Sequence, residues 1–307
     1  MKVALIGGTG FVGSYLVDEL IEQHHEPVLL VRPGSESKVQ QSGQCRLVPG
    51  DAKDSEAIRR TLDGCDAVIY NIGLLREFKS KGITFDELQY QAAKRTIDSA
   101  SALAVRRFLL MSANGVKPDG TDYQRTKYQA EQHLQTTDLD FTIFRPSVIF
   151  GEPRGRMEFC TQLRDEMIKL PLPAPLFFKG LLPINAGTFM MSPIHINDVA
   201  RVFVKSLDVP ETFGKTLVLC GPQNLTWKEI IRLIARASGR SKLMVPVPAF
   251  YVRIMTTLFD RFDFLPITGD QLTMLLEGNI GDSSDIFAQL GVEPTPFNAE
   301  SLAYLRS

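Results

Sequence analysis

Apolar and polar positions along the chain fall into two regimes. Val3-Ala4-Leu5-Ile6, Pro27-Val28-Leu29-Leu30-Val31, Arg46-Leu47-Val48, Ala67-Val68-Ile69-Tyr70, Arg107-Phe108-Leu109-Leu110-Met111 and Phe141-Thr142-Ile143-Phe144 are short apolar runs, the mark of strands buried on both faces. Between them, Ser14 to Leu20, a segment opening at Asp54-Ser55, and about Phe85 to Leu103 carry apolar residues at helical spacing. Strand alternating with helix predicts a parallel sheet covered by helices on both faces, with ligand at the carboxyl ends of the strands. After Gly151 the composition changes, and Leu170 to Pro193, rich in Pro, Leu, Phe and Gly, predicts an irregular substrate-side lobe. Order returns over Pro193 to Ala200, in a strand at Thr216-Leu217-Val218-Leu219, and in an amphipathic helix capped by Thr226. Residues 1–151 are thus expected to be a nucleotide-binding core. Residues 152–307 are expected to mix a substrate lobe with returning core elements near 216–219.

The first strand runs directly into Gly7-Gly8-Thr9-Gly10-Phe11-Val12-Gly13, and a helix follows. Glycines on such a turn let the backbone bend tightly and approach a pyrophosphate, whose charge is met by free N–H groups at the helix N-terminus. An ordinary strand-to-helix turn is the plainer reading. The residue ending the second strand bears on the choice of nucleotide: a carboxylate accepts from the ribose hydroxyls of NAD(H), and an arginine pairs with the extra phosphate of NADP(H). Arg32 stands there, with Ser35, Ser37 and Lys38 as further donors, so NADP(H) is favoured and NAD(H) is the second choice. Asp51, after the third strand, either meets the adenosine or caps the next helix. Asn71-Ile72-Gly73, after the fourth strand, is a small-residue turn expected to lie under the cofactor.

Tyr123 and Lys127 lie four residues apart on one helix face. A tyrosine titrates near 10 when unperturbed, and an adjacent ammonium lowers that value by favouring the phenolate. Tyr123 is therefore expected to exchange a proton with a carbonyl or hydroxyl, and Lys127 to reach the nicotinamide ribose as well. Read without context, the pair is a solvated helix face. His195 and Arg145 read first as structural residues; catalysis is the lesser reading of His195, and Arg145 either pairs with an acid across the fold or anchors substrate.

Composition narrows the classes. A net charge of −1 over 307 residues supplies no basic surface for nucleic acid. Cys45, Cys65, Cys160 and Cys220 are widely spaced with no CxxC pair, which reads as core thiols and predicts neither zinc site nor disulfide framework. No apolar run reaches the roughly 20 residues of a spanning helix, and the first strand begins near Met1, so a cytoplasmic location is expected.

The glycine loop from Gly7 to Gly13, Asn71-Ile72-Gly73, Tyr123 with Lys127, Arg145-Pro146 and the Pro193-to-Ala200 segment together resemble the short-chain dehydrogenase/reductase superfamily of extended type. The resemblance covers nearly the whole chain. With Pro266-Ile267-Thr268-Gly269-Asp270-Gln271, Pro294-Thr295-Pro296 and Tyr304-Leu305-Arg306, it is most similar to the atypical branch that includes the nucleotide-binding accessory subunit of mitochondrial complex I. It implies a Rossmann-type doubly wound parallel sheet with a smaller C-terminal substrate lobe, and a cofactor contact at Pro146. In catalytic members a Ser or Thr just past the fifth strand polarises the substrate oxygen. Here Ala113 holds that place, only ten residues before Tyr123, leaving Ser112 or Asn114 as substitute donors.

Two apolar stretches, 175–191 and 247–265, pack a small lobe or else meet a membrane, another subunit or a lipophilic substrate. The second carries Phe250, Tyr251, Ile254, Met255, Leu258, Phe259, Phe262 and Phe264 with Arg253 and Arg261, and predicts an amphipathic helix. The expected activity is NADP(H)-dependent oxidoreduction of an apolar carbonyl, hydroxyl or quinone-like substrate. The rival is a non-catalytic NADPH-binding subunit or assembly factor of a membrane complex. A nucleotide-sugar epimerase or dehydratase ranks lower, because 170–192 holds no basic cluster for a diphosphate. The pattern leaves the oligomeric state open.

Overall fold

The computed structural model describes residues 1–180, 182–251 and 268–306. Its first half contains β1 (Lys2–Ile6), α1 (Phe11–Glu22), β2 (Glu26–Val31), β3 (Arg46–Pro49), α2 (Ser55–Leu62), β4 (Ala67–Tyr70), α3 (Ala92–Ala102), β5 (Arg107–Met111), α4 (Asp122–Gln135) and β6 (Asp140–Pro146). The second half contains β7 (Ile149–Phe150), α5 (Phe159–Leu163), β8 (Ala174–Phe178), β9 (Met190–Met191), β10 (Ile194–His195), α6 (Ile196–Lys205), β11 (Lys215–Leu219), β12 (Leu225–Thr226), α7 (Trp227–Ala237), β13 (Met244–Pro248), α8 (Gly269–Glu277) and α9 (Ser284–Leu290).

The chain divides into two compact units. The first holds Met1–Pro146, Ile196–Leu219 and Ser284–Glu293, and the second holds Ser147–His195, Cys220–Ser283 and Pro294–Ser307.

Unit 1 is built on a seven-stranded sheet in the order β11-β6-β5-β4-β1-β2-β3, parallel at every pairing. Alternate strand residues serve opposite faces, as the pleat requires. Ala4, Ile6, Val28, Leu30, Val68, Tyr70, Phe108, Leu110 and Ile143 pack against Ala57, Ile58 and Leu62 of α2, Ala93 and Ile97 of α3, and Leu134 of α4. The other face belongs to α1 and α6, which pack together, and Phe144 meets Phe203 there at 4.3 Å between ring centres. The sheet is thus doubly wound, as its apolar runs predicted. β1 sits between β2 and β4, so consecutive connections leave it in opposite directions and open a crevice at its carboxyl end.

Unit 2 carries three two-stranded pairings: β7 with β10 and β8 with β13, both parallel, and β9 with β12 antiparallel. Two expectations change here, and a third changes in unit 1. Leu170 to Pro193 is not irregular throughout, because β8 lies within it and its Leu176, Phe177 and Phe178 are buried. The helix predicted from Val247 begins instead as the end of β13, whose Pro246 and Pro248 are tolerated because a two-stranded ladder asks for few N–H donors. Residues 249–251 are helical; 252–265, with Arg253, Ile254, Met255, Leu258, Phe259, Arg261, Phe262 and Phe264, lie outside the described residues, as do Leu181 and Pro266-Ile267. The helix predicted over Phe85 to Leu103 opens with a wide π turn at 86–91 before α3. The Thr226 cap is present as predicted: its hydroxyl accepts from Glu229 N, and the Glu229 carboxylate accepts from Thr226 N at 2.8 Å.

Candidate nucleotide and catalytic site

The glycine loop is shaped by steric necessity. Gly7 has φ +102°, and a Cβ there would come within 3.0 Å of the Asn71 carbonyl group. A Cβ on Gly13 would lie 2.2 Å from the Gly7 carbonyl oxygen and 2.7 Å from Gly8 Cα, so only glycine permits this approach. Asn71 N donates to Ile6 O at 2.9 Å, which brings the turn after β4 against the loop after β1. Gly10 caps α1 and offers no side chain to its N–H groups, and Phe11 and Val12 open the helix with no acid in the first turn. Thr9 is half-buried beside them. A helix start with a side-chain-free cap and no carboxylate in its first turn, reached by a loop that leaves no room for a Cβ at Gly7 or Gly13, fits a dinucleotide pyrophosphate.

At the end of β2, Arg32 is exposed and makes no ion pair among the described residues, and Ser37 and Lys38 are exposed beside it. Ser35 N donates to Arg32 O at 2.9 Å, folding the segment back. A small crevice against the loop is lined by Gly8, Ser14, Val17, Asp18, Lys38, Val39, Gln40 and Gln41. Of the two readings of Asp51, the cap of α2 falls to Asp54, which accepts from Glu56 N at 2.9 Å. Asp51 instead accepts from Lys53 N at 2.9 Å in a local turn.

A second crevice lies past β4 and β5, lined by Tyr70, Ile72, Gln89, Leu110, Met111, Ser112, Lys127 and Ala130. Lys127, only 5% exposed, donates from Nζ to Met111 O at 2.9 Å. That ammonium lies 3.9 Å from where a Cβ on Gly73 would stand. Burial lowers its pKa to about 8, opposed by the charge of Glu131. Tyr123 lies one turn earlier, half-buried, with Phe85 edge-on at 5.7 Å. The Lys127 ammonium faces its ring at 5.9 Å from the centre. Burial alone acts on the Tyr123 hydroxyl and raises it to about 12. This corrects the expectation of a lowered tyrosine: the ammonium is spent on the Met111 carbonyl and the ring face.

Ser112 donates its N–H to Phe144 O at 2.8 Å, and Asn114 donates its own to Pro146 O at 2.9 Å, which joins the ends of β5 and β6. The Ser112 hydroxyl, on a residue 3% exposed, has no hydrogen-bond partner. An orphaned hydroxyl is costly to bury, and this one lines the same crevice as the Lys127 ammonium.

Gln89, which no sequence motif marks, donates from its amide to Leu74 O at 3.1 Å and accepts from Thr126 Oγ1 at 2.9 Å, linking the loop after β4 to α4. The available signal was a polar residue on the stripe Phe85, Gln89, Ala92, Thr96, which is otherwise small or apolar. Arg145 makes a bidentate pair with Glu131 at 2.9 and 2.5 Å, the structural use expected of it. In unit 2, His195 packs edge-on against Phe150 at 5.1 Å.

A family model described as NAD(P)H-binding matches residues 7–168, the stretch that carries both crevices. The chain belongs to the NAD(P)H-binding family. Similar to this member is the mitochondrial NADH dehydrogenase [ubiquinone] 1 alpha subcomplex subunit 9 of Rattus norvegicus, 24% identical over 98% of this chain and 79% of the rat protein. Photosystem II assembly factor Ycf39 of Trieres chinensis is 25% identical over 89% of this chain and 80% of its own. Ceramide reductase of Caulobacter vibrioides is 26% identical over 87% and 80%. These relatives bear out the resemblance to the atypical short-chain dehydrogenase/reductases. In fold, this family member superposes on the UDP-glucose 4-epimerase of Thermus thermophilus solved with NAD, with TM-score 0.74 at 17% identity, covering 100% of this chain and 98% of that one.

Proposed function

We propose that this member of the NAD(P)H-binding family is an NADPH-dependent oxidoreductase of atypical short-chain type, acting on an apolar carbonyl, hydroxyl or quinone-like substrate. The observation that carries the reading is the unpaired Ser112 hydroxyl in one crevice with the Lys127 ammonium, which faces the Tyr123 ring. Gly7, Thr9, Gly10, Phe11, Val12 and Gly13 hold the pyrophosphate. Arg32, Ser37 and Lys38 meet the adenosine phosphate, which favours NADP(H) over NAD(H), and Asp51 borders the adenosine. Asn71, Gly73 and Pro146 flank the nicotinamide. Bound there, NAD(P)H supplies a hydride to the substrate carbon. Tyr123 gives the proton to the substrate oxygen, Lys127 reaches the ribose, and Ser112, or Asn114 beside it, donates to the same oxygen. The similarity to a ceramide reductase supports an apolar substrate, met in the cytoplasm or at a membrane surface.

A second reading has its own support. The raised Tyr123 and the absence of a hydroxyl at Ala113 favour a chain that binds NADPH without turnover, as a subunit or assembly factor of a membrane complex. The rat subunit and Ycf39 are similar over most of the chain. To separate the readings, the protein is loaded with NADPH and its near-ultraviolet absorbance is followed on adding fractionated lipids and metabolites, beside Tyr123→Phe. Turnover that falls at least about 100-fold in the variant with cofactor affinity unchanged is the expected result for a catalytic tyrosine. Tight NADPH binding with no consumption in any fraction overturns the enzyme reading in favour of the second.

A further inference from the structure

Two loops of unit 2 meet at the starts of β8 and β13, and one lysine ties them. Lys242 Nζ donates to Leu170 O at 2.5 Å and to Ile168 O at 3.2 Å, and Leu243 O accepts from Ala174 N at 2.8 Å. Around this knot residues 169–173 and 239–241 are all exposed. Three leucines stand out of it: Leu170 is 46% exposed, Leu172 68% and Leu243 71%.

A single exposed leucine needs no explanation, but the charge around these three is one-sided. Segments 167–173 and 236–243 contain Lys169, Arg236, Arg240 and Lys242 and no Asp or Glu. The acids next in sequence to segment 167–173 are Asp165 and Glu166. Asp165 is taken up by Arg164 and Lys169, each at 2.8 Å, and Glu166 accepts from Gln162 at 3.0 Å. Arg236, Arg240 and Lys242 make no ion pair among the described residues. Burial and the neighbouring Arg240 charge both lower the Lys242 pKa, so Lys242 has another cation beside it. Apolar tips with cations at their stems match the layering of a bilayer surface, where acyl chains lie beneath anionic headgroups.

We propose that residues 167–173 and 236–243 form a docking surface for a bilayer bearing anionic headgroups. Leu170, Leu172 and Leu243 enter the acyl boundary, and Arg236, Arg240 and Lys242 lie at the phosphates. None of this surface's residues belongs to the 175–191 or 247–265 stretches, and the proposal does not depend on whether the chain turns over NADPH.

The test is co-sedimentation of the full chain with phosphatidylcholine vesicles and with vesicles that also contain phosphatidylglycerol. Partition to the anionic vesicles at low salt is expected to exceed that to neutral ones about tenfold or more, and to fall as salt is raised. Arg240→Glu is expected to reduce it several-fold, and Leu172→Asp combined with Leu243→Asp to abolish it, with NADPH binding retained as the control for folding. Equal partition to both vesicle types, or unchanged partition of the variants, overturns the proposal. Partition to neither type also overturns it, and is the result expected of a protein partner on this face.

Discussion

The glycine loop and the Lys127 crevice both lie at carboxyl ends of strands in unit 1, and they are built by opposite means. The loop is backbone: Gly7 and Gly13 leave no room for a Cβ, and the helix start beside them is capped by Gly10 with no acid in its first turn. The crevice is side chain: a buried ammonium, which faces the ring of a tyrosine raised by burial, and a hydroxyl left without a partner. A backbone cradle fails when atoms are added to it. A polar crevice changes when its charge or its dryness changes, so the two should respond differently to substitution.

Gly13→Ala should have the largest effect. Its Cβ meets backbone at 2.2 Å with no flexible side chain to give way, so the β1–α1 turn must open. NADPH affinity is expected to fall at least about 100-fold by calorimetric titration, with a stability loss of about 2 kcal/mol or more. Retained affinity would refute the backbone cradle.

Lys127→Met tests the crevice. In the folded chain the Lys127 pKa falls from 10.5 to about 8. Between those values the unfolded chain binds more protons, so the wild-type protein should gain stability as pH rises through that window. Below about 8 both states are protonated, and the cost of burying the charge is present in full. The variant should therefore be more stable than wild type at neutral pH, by up to roughly 3 kcal/mol, with the difference shrinking as pH rises toward 10.5. Denaturant unfolding without cofactor, on either side of the window, measures it. A variant less stable at neutral pH would mean that the Met111 bond outweighs the desolvation.

The smallest effect is expected at the exposed edge. Arg32→Ala should weaken NADPH binding about tenfold, within the range of one charge-assisted contact, and leave NADH binding nearly unchanged. Equal loss for both nucleotides would remove Arg32 from the recognition of the extra phosphate.

Much of unit 1 was legible because its signals are local. Strands at Ala67–Tyr70 and Arg107–Met111 coincide with their apolar runs, and β6 exceeds its run only by Asp140 and by Arg145-Pro146 at its carboxyl end. Less of unit 2 was legible. Pro, Leu and Phe between 174 and 178 give no alternation to read, and β8 becomes a strand only by pairing with residues some seventy positions later, in β13. Within the site, the spacing of Tyr123 and Lys127 was visible from the residues, whereas Gln89 was hidden because its partners, Leu74 O and Thr126, come from separate segments.

By itself the sequence determined the alternation of strand and helix and the turn that only glycine can make, because periodicity and the absence of a Cβ act over a few residues. It also determined the cationic, carboxylate-free character of 236–243. Only the tertiary structure decided that Lys127 spends its ammonium on Met111, that Tyr123 is raised rather than lowered, that Ser112 is left unpaired, and that Lys242 draws two leucine-bearing loops together. Desolvation and hydrogen-bond partnership are sums over neighbours brought from distant parts of the chain, and no local pattern of residues contains them.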